Sequence, residues 1–466
     1  MTVASAQSIP GSYRDPAGGV HRLGERILRT VSPEHEADFN AALRSGILDR
    51  LADEHRIVAF EQLPLPPEAL GLAGAARVLE HPRLPFISHP YEWSFEALRA
   101  AALHHLDVHL EAMEGGLTLS DASAYNIQFL GARPVFIDVL SFRPYREGEI
   151  WAGYRQFCEQ FLNPLVLCAM TGMMPNAWYR GALEGIATSD LRRLLPWRAL
   201  LSRRVLLHVV AHSALEKAEP ASGEAAGLAR SAALPRAAFL NMLGDLRAWL
   251  SKLKPKRGRT LWSDYVTTCS YTEEERSAKK EEVAAFASAV RPKMLWDMGC
   301  NTGEHALLAL KSGAARAIGW DGDAAAVDAA FLAARAAGAE LTPLVSDLAN
   351  PSPSQGWGQA ERAGLNERIG ADAVTALALI HHLVFGANVP LPRAVGWIVG
   401  LAPRGLIEFV PPSDVQVRTM IARRRGAHHP YDREHFVAAL GAAARIEKTR
   451  MLGPSGRELF CYDRRS

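Results

Sequence analysis

One short segment constrains the fold of this 466-residue chain more than any other: an apolar run that delivers an acidic residue into a glycine-rich turn. The run covers residues 295–298 (LWDM), and the turn covers residues 299–303 (GCNTG). Glycines at both ends of the turn permit tight backbone conformations and a close approach to a ligand. Because a helix-like pattern follows, the segment predicts a strand, a turn and a helix of a parallel sheet.

The residues around this turn alternate between helix-like and strand-like patterns. Helix-like patterns cover residues 272–290, 305–312, 324–337 and 433–441, and strand-like patterns cover residues 293–298, 315–320, 341–345, 373–379 and 405–410. Residues 444–451 and 457–462 flank a Gly-Pro-Ser-Gly turn and predict a closing hairpin. Alternating strands and helices indicate βαβ units, so we predict an α/β fold with a doubly wound, mostly parallel sheet.

Acidic residues also follow the next two predicted strands. Asp321 ends the second strand, and Asp347 with Leu348 follows the third. Ligands of open parallel sheets bind beyond the carboxyl ends of the strands. At that place the carboxylate of Asp321 can accept both hydroxyl hydrogens of a ribose, and the third block can contact an adenine edge.

These three blocks, in this order and spacing, resemble class I S-adenosylmethionine-dependent methyltransferases over residues 260–466. The resemblance implies a seven-stranded, Rossmann-like sheet and S-adenosyl-L-methionine as the cofactor. The cofactor-binding residues that it implies are Asp297, Gly299, Cys300, Asn301, Gly303, Asp321, Asp347 and Leu348. Asn301 stands where many members of the family carry glycine.

Two other interpretations of the glycine-rich turn remain open. A nicotinamide dehydrogenase needs the spacing G-x-G-x-x-G, whereas Gly299 and Gly303 form G-x-x-x-G. An anion at Asp297 would also repel a pyrophosphate, whereas it can accept a hydrogen bond from the cationic amino group of the methyl donor. The second alternative is a doubly wound fold that binds no ligand.

The segment after the fourth strand faces the sulfonium in the methyltransferase family, and here it contains His381 and His382. No Asn/Asp-Pro-Pro-Tyr motif is present, so a hydroxyl or acid acceptor is favoured over a nucleobase. A neutral imidazole would then serve as the general base, with helix capping and packing as the alternative. Glu408 lies at the end of the next strand and either orients the substrate or pairs with Arg404 or Arg418.

Several other side chains invite a functional interpretation. The aromatic residues Trp262, Tyr265 and Tyr271 either form a lid over the cofactor or pack against the sheet. Two histidine groups have helical spacing but lack a third metal ligand; they are His208 with His212, and His104 with His105 and His109. The five cysteines form no C-x-x-C pair, so we expect no metal site.

The N-terminal half carries a second motif, in which Asp121 and Asn126 precede an apolar run that ends at Asp138. With a long helix at 94–114 and a hairpin within 15–31, this motif resembles protein-kinase-like and aminoglycoside-phosphotransferase-like folds. There Asp121 would orient an acceptor hydroxyl, while Asn126 and Asp138 would hold magnesium. The first lysine of the chain is Lys217 and no glycine-rich loop is recognisable, so we predict an inactive domain. An unrelated α+β domain is the alternative.

These patterns predict three parts: an N-terminal α+β domain (1–250), a basic linker (251–262) and a methyltransferase domain (263–466). The whole arrangement is similar to host-specific nodulation-type methyltransferase proteins of bacteria. The longest apolar run, residues 161–174, is shorter than the ~20 residues of a membrane span, and the net charge of +2 gives no pull toward nucleic acid. We therefore expect a cytoplasmic methyltransferase with a small-molecule or protein acceptor, no membrane partner, and an oligomeric state that the sequence leaves open. A scaffold that binds the donor without transfer is the alternative function.

Overall fold

A computed structural model of the chain describes residues 6–64, 66–213, 234–256, 271–423 and 428–464. In these ranges the strands form a five-stranded sheet, two two-stranded ribbons and a seven-stranded sheet. Every helix in the same ranges is too short or too polar to cross a bilayer.

The N-terminal half begins with an antiparallel sheet. Its strands are β1 (Gln7–Ser8), β2 (Val20–Leu23), β3 (Arg26–Val31), β4 (Glu61–Gln62) and β5 (Arg77–His81). Two helices, α1 (Glu36–Arg44) and α2 (Ile47–Asp53), connect β3 to β4. The strand order is β1-β2-β3-β5-β4, and the predicted hairpin is formed by β2 and β3.

The rest of the N-terminal half is mainly helical and centres on α3 (Phe95–Glu114), which begins at its N-cap Ser94. Two antiparallel ribbons follow it: β6 (Leu117–Leu119) with β9 (Phe142–Pro144), and β7 (Ile127–Leu130) with β8 (Arg133–Phe136). The later helices are α4 (Tyr154–Phe157), α5 (Asn163–Thr171), α6 (Asn176–Gly181), α7 (Thr188–Leu194), α8 (Arg203–Val205) and α9 (Arg236–Leu250).

The C-terminal half alternates strands and helices. Its strands are β10 (Leu295–Met298), β11 (Ala317–Asp321), β12 (Leu341–Val345), β13 (Ala373–Ala376), β14 (Arg404–Phe409), β15 (Ala444–Met451) and β16 (Glu458–Arg464). Its helices are α10 (Glu273–Val290), α11 (Glu304–Lys311), α12 (Ala324–Ala337), α13 (Leu391–Leu401), α14 (Val415–Arg423) and α15 (Arg433–Ala443). The strand order is β12-β11-β10-β13-β14-β16-β15, with β16 antiparallel to both neighbours. The predicted Rossmann-like α/β sheet is therefore confirmed.

Short helical turns of other types connect these elements. The 3-10 turns are Pro33–His35, Pro67–Leu70, Pro90–Glu92, Ala124–Asn126, Val139–Ser141, Ala199–Leu201, Trp357–Gln359 and Leu365–Arg368. The π-helical turns are Cys158–Leu162, Leu206–Ala211 and His382–Gly386.

Strand β13 is shorter than the sequence predicts. The apolar run continues to Leu379, but the strand ends at Ala376. The backbone of Ala378 has φ 51°, a left-handed conformation that cannot continue a strand. The chain therefore turns before the two histidines instead of after a long strand.

One face of the seven-stranded sheet is covered by the N-terminal half of the chain. Phe86 packs edge-on against Trp296 and Trp320, with ring centroids 5.9 and 5.8 Å apart. On the same face, the hydroxyl of Thr342 donates to the carbonyl of Gly131 over 2.9 Å. The connection from β12 to β13 contains 3-10 turns and no α-helix. Because parallel strands need cover on both faces, the N-terminal half supplies what this connection does not.

A buried ion pair fastens the same connection to the N-terminal half. Arg368 donates to both carboxylate oxygens of Glu92, one of them at 2.9 Å, and to the carbonyl of Ile87 at 2.7 Å. The hydroxyl of Ser352 also donates to Glu92 over 3.1 Å. Burial raises the pKa of Glu92, but the charge and hydrogen bonds of Arg368, together with His89, leave the pKa below its ordinary value. Glu92 is therefore ionised and depends on Arg368.

We expect the substitution Arg368→Ala to lower the free energy of unfolding by about 3–5 kcal/mol, because it leaves Glu92 buried without its countercharge. The control Arg404→Ala removes an exposed pair with Asp463 and should change that free energy by less than about 1 kcal/mol. Urea denaturation of the full chain measures both variants. Equal losses would contradict a dominant role for the buried pair.

Candidate functional site

The carboxyl ends of β10 and β13 lie where the strand order reverses. From β10 the chain adds β11 and β12 on one side, and then returns to add β13 and β14 on the other. Ligands of doubly wound sheets bind in the crevice at such a switch point. The turn at 299–303 follows β10 and the histidine segment at 377–382 follows β13, so the two predicted groups share one edge of the sheet.

The turn after β10 has a left-handed backbone at three positions. The φ angles are 82° at Gly299, 48° at Asn301 and 79° at Gly303. A Cβ atom on Gly303 would also lie 3.1 Å from a methyl carbon of Leu341 and 3.2 Å from the Cβ of Ala330. Asparagine adopts this conformation more readily than most residues, which explains how Asn301 replaces a glycine.

Cys300 holds the turn against the neighbouring strand. Its backbone N–H donates to the carbonyl of Trp320 over 3.0 Å, and its carbonyl accepts from Gly303 over 2.9 Å. Its buried thiol lies so close to Gly319 that a Cβ there would be 2.8 Å from the sulfur. Burial raises the pKa of this thiol well above its ordinary value. The side chain of Cys300 therefore contributes packing.

Asp297 offers a buried carboxylate oxygen that has no hydrogen-bond partner. Its Oδ1 atom accepts from the hydroxyl of Thr375 over 2.6 Å, whereas its Oδ2 atom is buried and unbonded. Burial raises the pKa of Asp297 to about 6, against the opposing effects of Thr375 and the charge of Lys279. An unbonded acceptor at the switch point fits a cationic donor such as an amino group.

Asp321 is fixed by backbone amides. Its two carboxylate oxygens accept from the N–H groups of Asn301 and Asp323, each over 2.8 Å. Burial raises the pKa of Asp321, partly offset by these hydrogen bonds. Each carboxylate oxygen has a second lone pair, so the group keeps the capacity to accept from two hydroxyls.

The third predicted block lies beside Asp321. The N–H of Ser346 donates to the backbone carbonyl of Asp321 over 2.8 Å. Asp347 is exposed and its carboxylate accepts from the N–H of Ala349 over 2.9 Å, whereas Leu348 is buried. The three blocks are thus adjacent along one edge of the sheet.

The two histidines after β13 form a pair, with ring centroids 4.2 Å apart. His381 is completely buried, and neither of its ring nitrogens has a hydrogen-bond partner. Burial lowers the pKa of His381 well below its ordinary value, and burial with the charge of Arg457 lowers that of His382 to about 4. Both imidazoles are therefore neutral near pH 7, the state in which histidine can accept a proton.

A buried cluster of charges surrounds Glu408 at the end of β14. Its carboxylate pairs with Lys279 at 2.8 Å and Arg457 at 3.3 Å, and accepts from the hydroxyl of Tyr271 at 2.6 Å. Arg457 also pairs with Asp414 at 2.8 Å. Burial raises the pKa of Glu408, but Lys279 and Arg457 reverse the effect and leave the carboxylate ionised.

The partners that the sequence analysis proposed for Glu408 were wrong. Arg404 pairs instead with Asp463, and Arg418 forms no ion pair with Glu408.

Lys279 lies in a run of charged residues on α10, and nothing in that run marks which lysine is buried. Tyr271 packs under the guanidinium of Arg457, 4.0 Å from its ring centroid. Trp262 and Tyr265 lie outside the described residues.

The histidines of the N-terminal half have separate partners. In the two histidine groups noted in the sequence, the hydrogen-bond partners are Tyr154 (His208), Thr188 (His212), the carbonyl of Arg56 (His104) and Thr118 (His109). His105 is buried among aromatic rings. Within the described ranges, no three His, Cys, Asp or Glu side chains are grouped to hold a metal ion.

The predicted motif of the N-terminal half does come together. The Asn126 amide donates to Asp121 at 2.8 Å and to Asp138 at 3.2 Å. Arg29 on β3 is buried and pairs with Asp138 at 2.6 Å and with Asp15 at 2.5 Å. Burial and the charge of Asp138 raise the pKa of Asp121 to about 7. Sequence reasoning missed Arg29 because it considered only lysine as the cation.

Comparison with known proteins identifies one extensive similarity. The chain is 42% identical over 458 residues to the nodulation protein NoeA of Rhizobium meliloti (strain 1021), covering 98% of this chain and 96% of that protein. No family model matches the chain.

Similarity to solved structures is low. Magnesium protoporphyrin IX methyltransferase (ChlM) from Synechocystis PCC 6803 with bound SAH is 17% identical, with a TM-score of 0.31, over 45% of this chain and 90% of that one. The N-methyltransferase NodS from Bradyrhizobium japonicum WM9 is 11% identical, with a TM-score of 0.32, over 43% and 91%. Because these TM-scores are low, the fold assignment rests on the strand order of the molecule itself.

The buried carboxylate of Asp297 leads to a prediction on stability. Its pKa is raised in the folded chain, so its stability contribution is greatest below the ordinary aspartate pKa and falls as pH rises toward about 6. Asp297→Asn removes this penalty and should raise Tm by at least roughly 2 °C at pH 7.5, but by less near pH 4. Calorimetry at both pH values measures the difference. The exposed control Asp463→Asn should show no such gain, and a gain equal at both pH values would contradict the assignment.

Proposed function

The chain belongs to the family of the nodulation protein NoeA, and we propose that it is an S-adenosylmethionine-dependent methyltransferase. Its acceptor is a hydroxyl or acid group of a small molecule rather than a nucleobase. The proposal rests on the residues at the switch point of the sheet and on the resemblance of their three sequence blocks to class I methyltransferases.

The observation that carries the proposal is the unbonded, buried Oδ2 atom of Asp297. A buried acceptor without a donor is unfavourable, and a ligand ammonium group supplies both hydrogen and countercharge. The adjacent turn has left-handed glycines at Gly299 and Gly303, which allow a ligand to approach the backbone closely. A pyrophosphate would instead be repelled by this carboxylate.

The other predicted residues complete the binding site. The fixed carboxylate of Asp321 accepts from the ribose hydroxyls, and Asp347 with Leu348 contacts the adenine. The backbone of Asn301 and Cys300 keeps the turn in register with β11. When bound, S-adenosylmethionine supplies an activated methyl group, so the protein must mainly align the acceptor and remove its proton.

The proton is removed by His381 or His382. Both rings are neutral near pH 7 because burial opposes their charged form. The two ring nitrogens of His381 have no hydrogen-bond partner, which supports a role in binding the acceptor hydroxyl. The buried charges around Glu408 lie close enough to His381 for Arg457 and Lys279 to lower its pKa further.

We expect His381→Ala or His382→Ala to reduce turnover by ~10²–10⁴-fold, because removal of a general base eliminates that contribution to the rate. Affinity for the methyl donor should remain, because neither ring belongs to the three cofactor blocks. Transfer of label from S-adenosylmethionine into a cell extract measures turnover, and calorimetry measures affinity. Mass spectrometry of the labelled product identifies the acceptor.

Two controls separate the base from the rest of the site. The exposed His435→Ala should leave turnover unchanged, whereas Asp321→Ala should weaken donor binding at least roughly tenfold by removing charge-assisted hydrogen bonds. With a pKa of about 4, His382 keeps its base form as pH falls from 7 to 5. Normal rates in both histidine variants would show that the two histidines have only a packing role. Donor binding without any transfer would favour the scaffold function.

For the N-terminal half we propose an inactive kinase-like domain at 1–250, joined by a linker at 251–262 to the methyltransferase domain at 263–466. An antiparallel sheet followed by a helical part supports this assignment, as does the contact of Asn126 with Asp121 and Asp138. In protein kinases the third strand carries the lysine that binds phosphates. Here that strand carries Arg29, which Asp15 and Asp138 already neutralise.

Two carboxylates already pair with Arg29, so we expect magnesium and ATP to raise the melting temperature of the full chain little or not at all. We also expect no release of phosphate. Thermal melting with and without magnesium-ATP measures binding, and a phosphate assay measures hydrolysis. ATP hydrolysis that disappears in Asp138→Asn would contradict the assignment of an inactive domain.

A further inference from the structure

The segment around α8 exposes large apolar side chains in a concentration unusual for this molecule. Trp197, Leu201, Leu206 and Leu207 have 66%, 68%, 44% and 61% of their surface exposed. We call these four residues, with the arginines at 192, 193, 198, 203 and 204, the α8 patch. Clustered exposed apolar side chains of this size mark an interaction surface.

The α8 patch is held in place by buried residues of the same segment. Val205, His208 and Val209 are buried beneath it. The ring of His208 shares a hydrogen bond of 2.7 Å with the hydroxyl of Tyr154. It also stacks on Trp249, with ring centroids 5.8 Å apart. The exposed side chains are therefore the outer side of an anchored element and not a frayed end.

The charge of the same segment has a single sign. Residues 191–213 contain five arginines and no aspartate or glutamate. Arg193 pairs with Asp190 at 3.0 Å and Arg204 with Asp245 at 2.8 Å; in the described ranges Arg192, Arg198 and Arg203 form no ion pair. Since the whole chain is nearly neutral at +2, this excess of positive charge is confined to the segment.

We infer that the α8 patch is a peripheral binding surface for an anionic lipid bilayer. Tryptophan and leucine side chains enter the headgroup boundary, while arginines beside them bind lipid phosphates. The guanidinium of Arg198 lies 5.3 Å from the ring centroid of Trp197, so this pair of side chains combines an apolar ring with a positive charge.

A second copy of the chain is a poorer occupant. A two-fold dimer places the same patch against itself, so the arginines of one copy would face those of the other. A bilayer with anionic headgroups supplies the opposite charge. This contact requires no spanning helix, and it goes beyond the sequence expectation of no membrane partner, which considered only a spanning segment and the net charge.

The experiment is sedimentation of the full chain with vesicles. We expect binding to equal mixtures of phosphatidylcholine and phosphatidylglycerol, weaker binding to phosphatidylcholine alone, and release by salt. The double substitution Arg198→Gln with Arg203→Gln should weaken binding at least roughly fivefold. Trp197→Ser with Leu201→Ser should weaken it by a similar factor, because those side chains no longer enter the headgroup boundary.

Matched controls change equally exposed residues elsewhere. Trp357→Ser removes a tryptophan that is 75% exposed, and Arg316→Gln with Arg445→Gln removes two exposed arginines of the C-terminal half. These variants should bind as the unmodified chain does, and melting curves check that every variant is folded. Absence of binding to mixed vesicles, or equal losses in the controls, would overturn the proposal. A dimer dispersed by Trp197→Ser with Leu201→Ser, without vesicle binding, would identify a second copy as the partner instead.

Discussion

The structure depends on the requirement that a parallel sheet be covered on both faces. In most of the C-terminal half, helices meet this requirement. Beside β12 the connecting segment forms no α-helix, and the N-terminal half provides the cover through Phe86 and the carbonyl of Gly131. The ion pair of Glu92 with Arg368 lies in the same contact between the two halves. This ion pair fixes how the two halves are oriented, and the packing of Phe86 against the sheet stabilises that orientation.

The regular part of the fold was accessible from the sequence because its signals are local. Strand β12 and helix α12 have the predicted bounds, and α10 begins one residue after the predicted start at residue 272. Periodicity cannot reveal a reversal such as that at Ala378, which ended β13 early. It also did not predict α13, nor the contact between the two halves, which depends on residues far apart in the chain.

The same distinction applies to the candidate site. Asp297, Asp321 and the glycines were predicted because strand ends and turns have a sequence signature. Lys279 was missed because Lys280 beside it carries the same charge, and Arg457 because only the tertiary structure brings it to Glu408. Arg29 was missed for a different reason: the sequence analysis considered only lysine as the cation of this motif, whereas the fold brings Arg29 to Asp15 and Asp138.

The contact of the two halves has a consequence for biosynthesis. The N-terminal half leaves the ribosome first, and domains generally fold as they emerge. Until β10 and β11 are synthesised, Phe86 has no tryptophan partners, and Glu92 has no countercharge until Arg368 follows. The nascent chain therefore presents an apolar side chain and an unpaired carboxylate to solvent during about half of its translation. The N-terminal half therefore completes its packing only after the strands of the C-terminal half have been made.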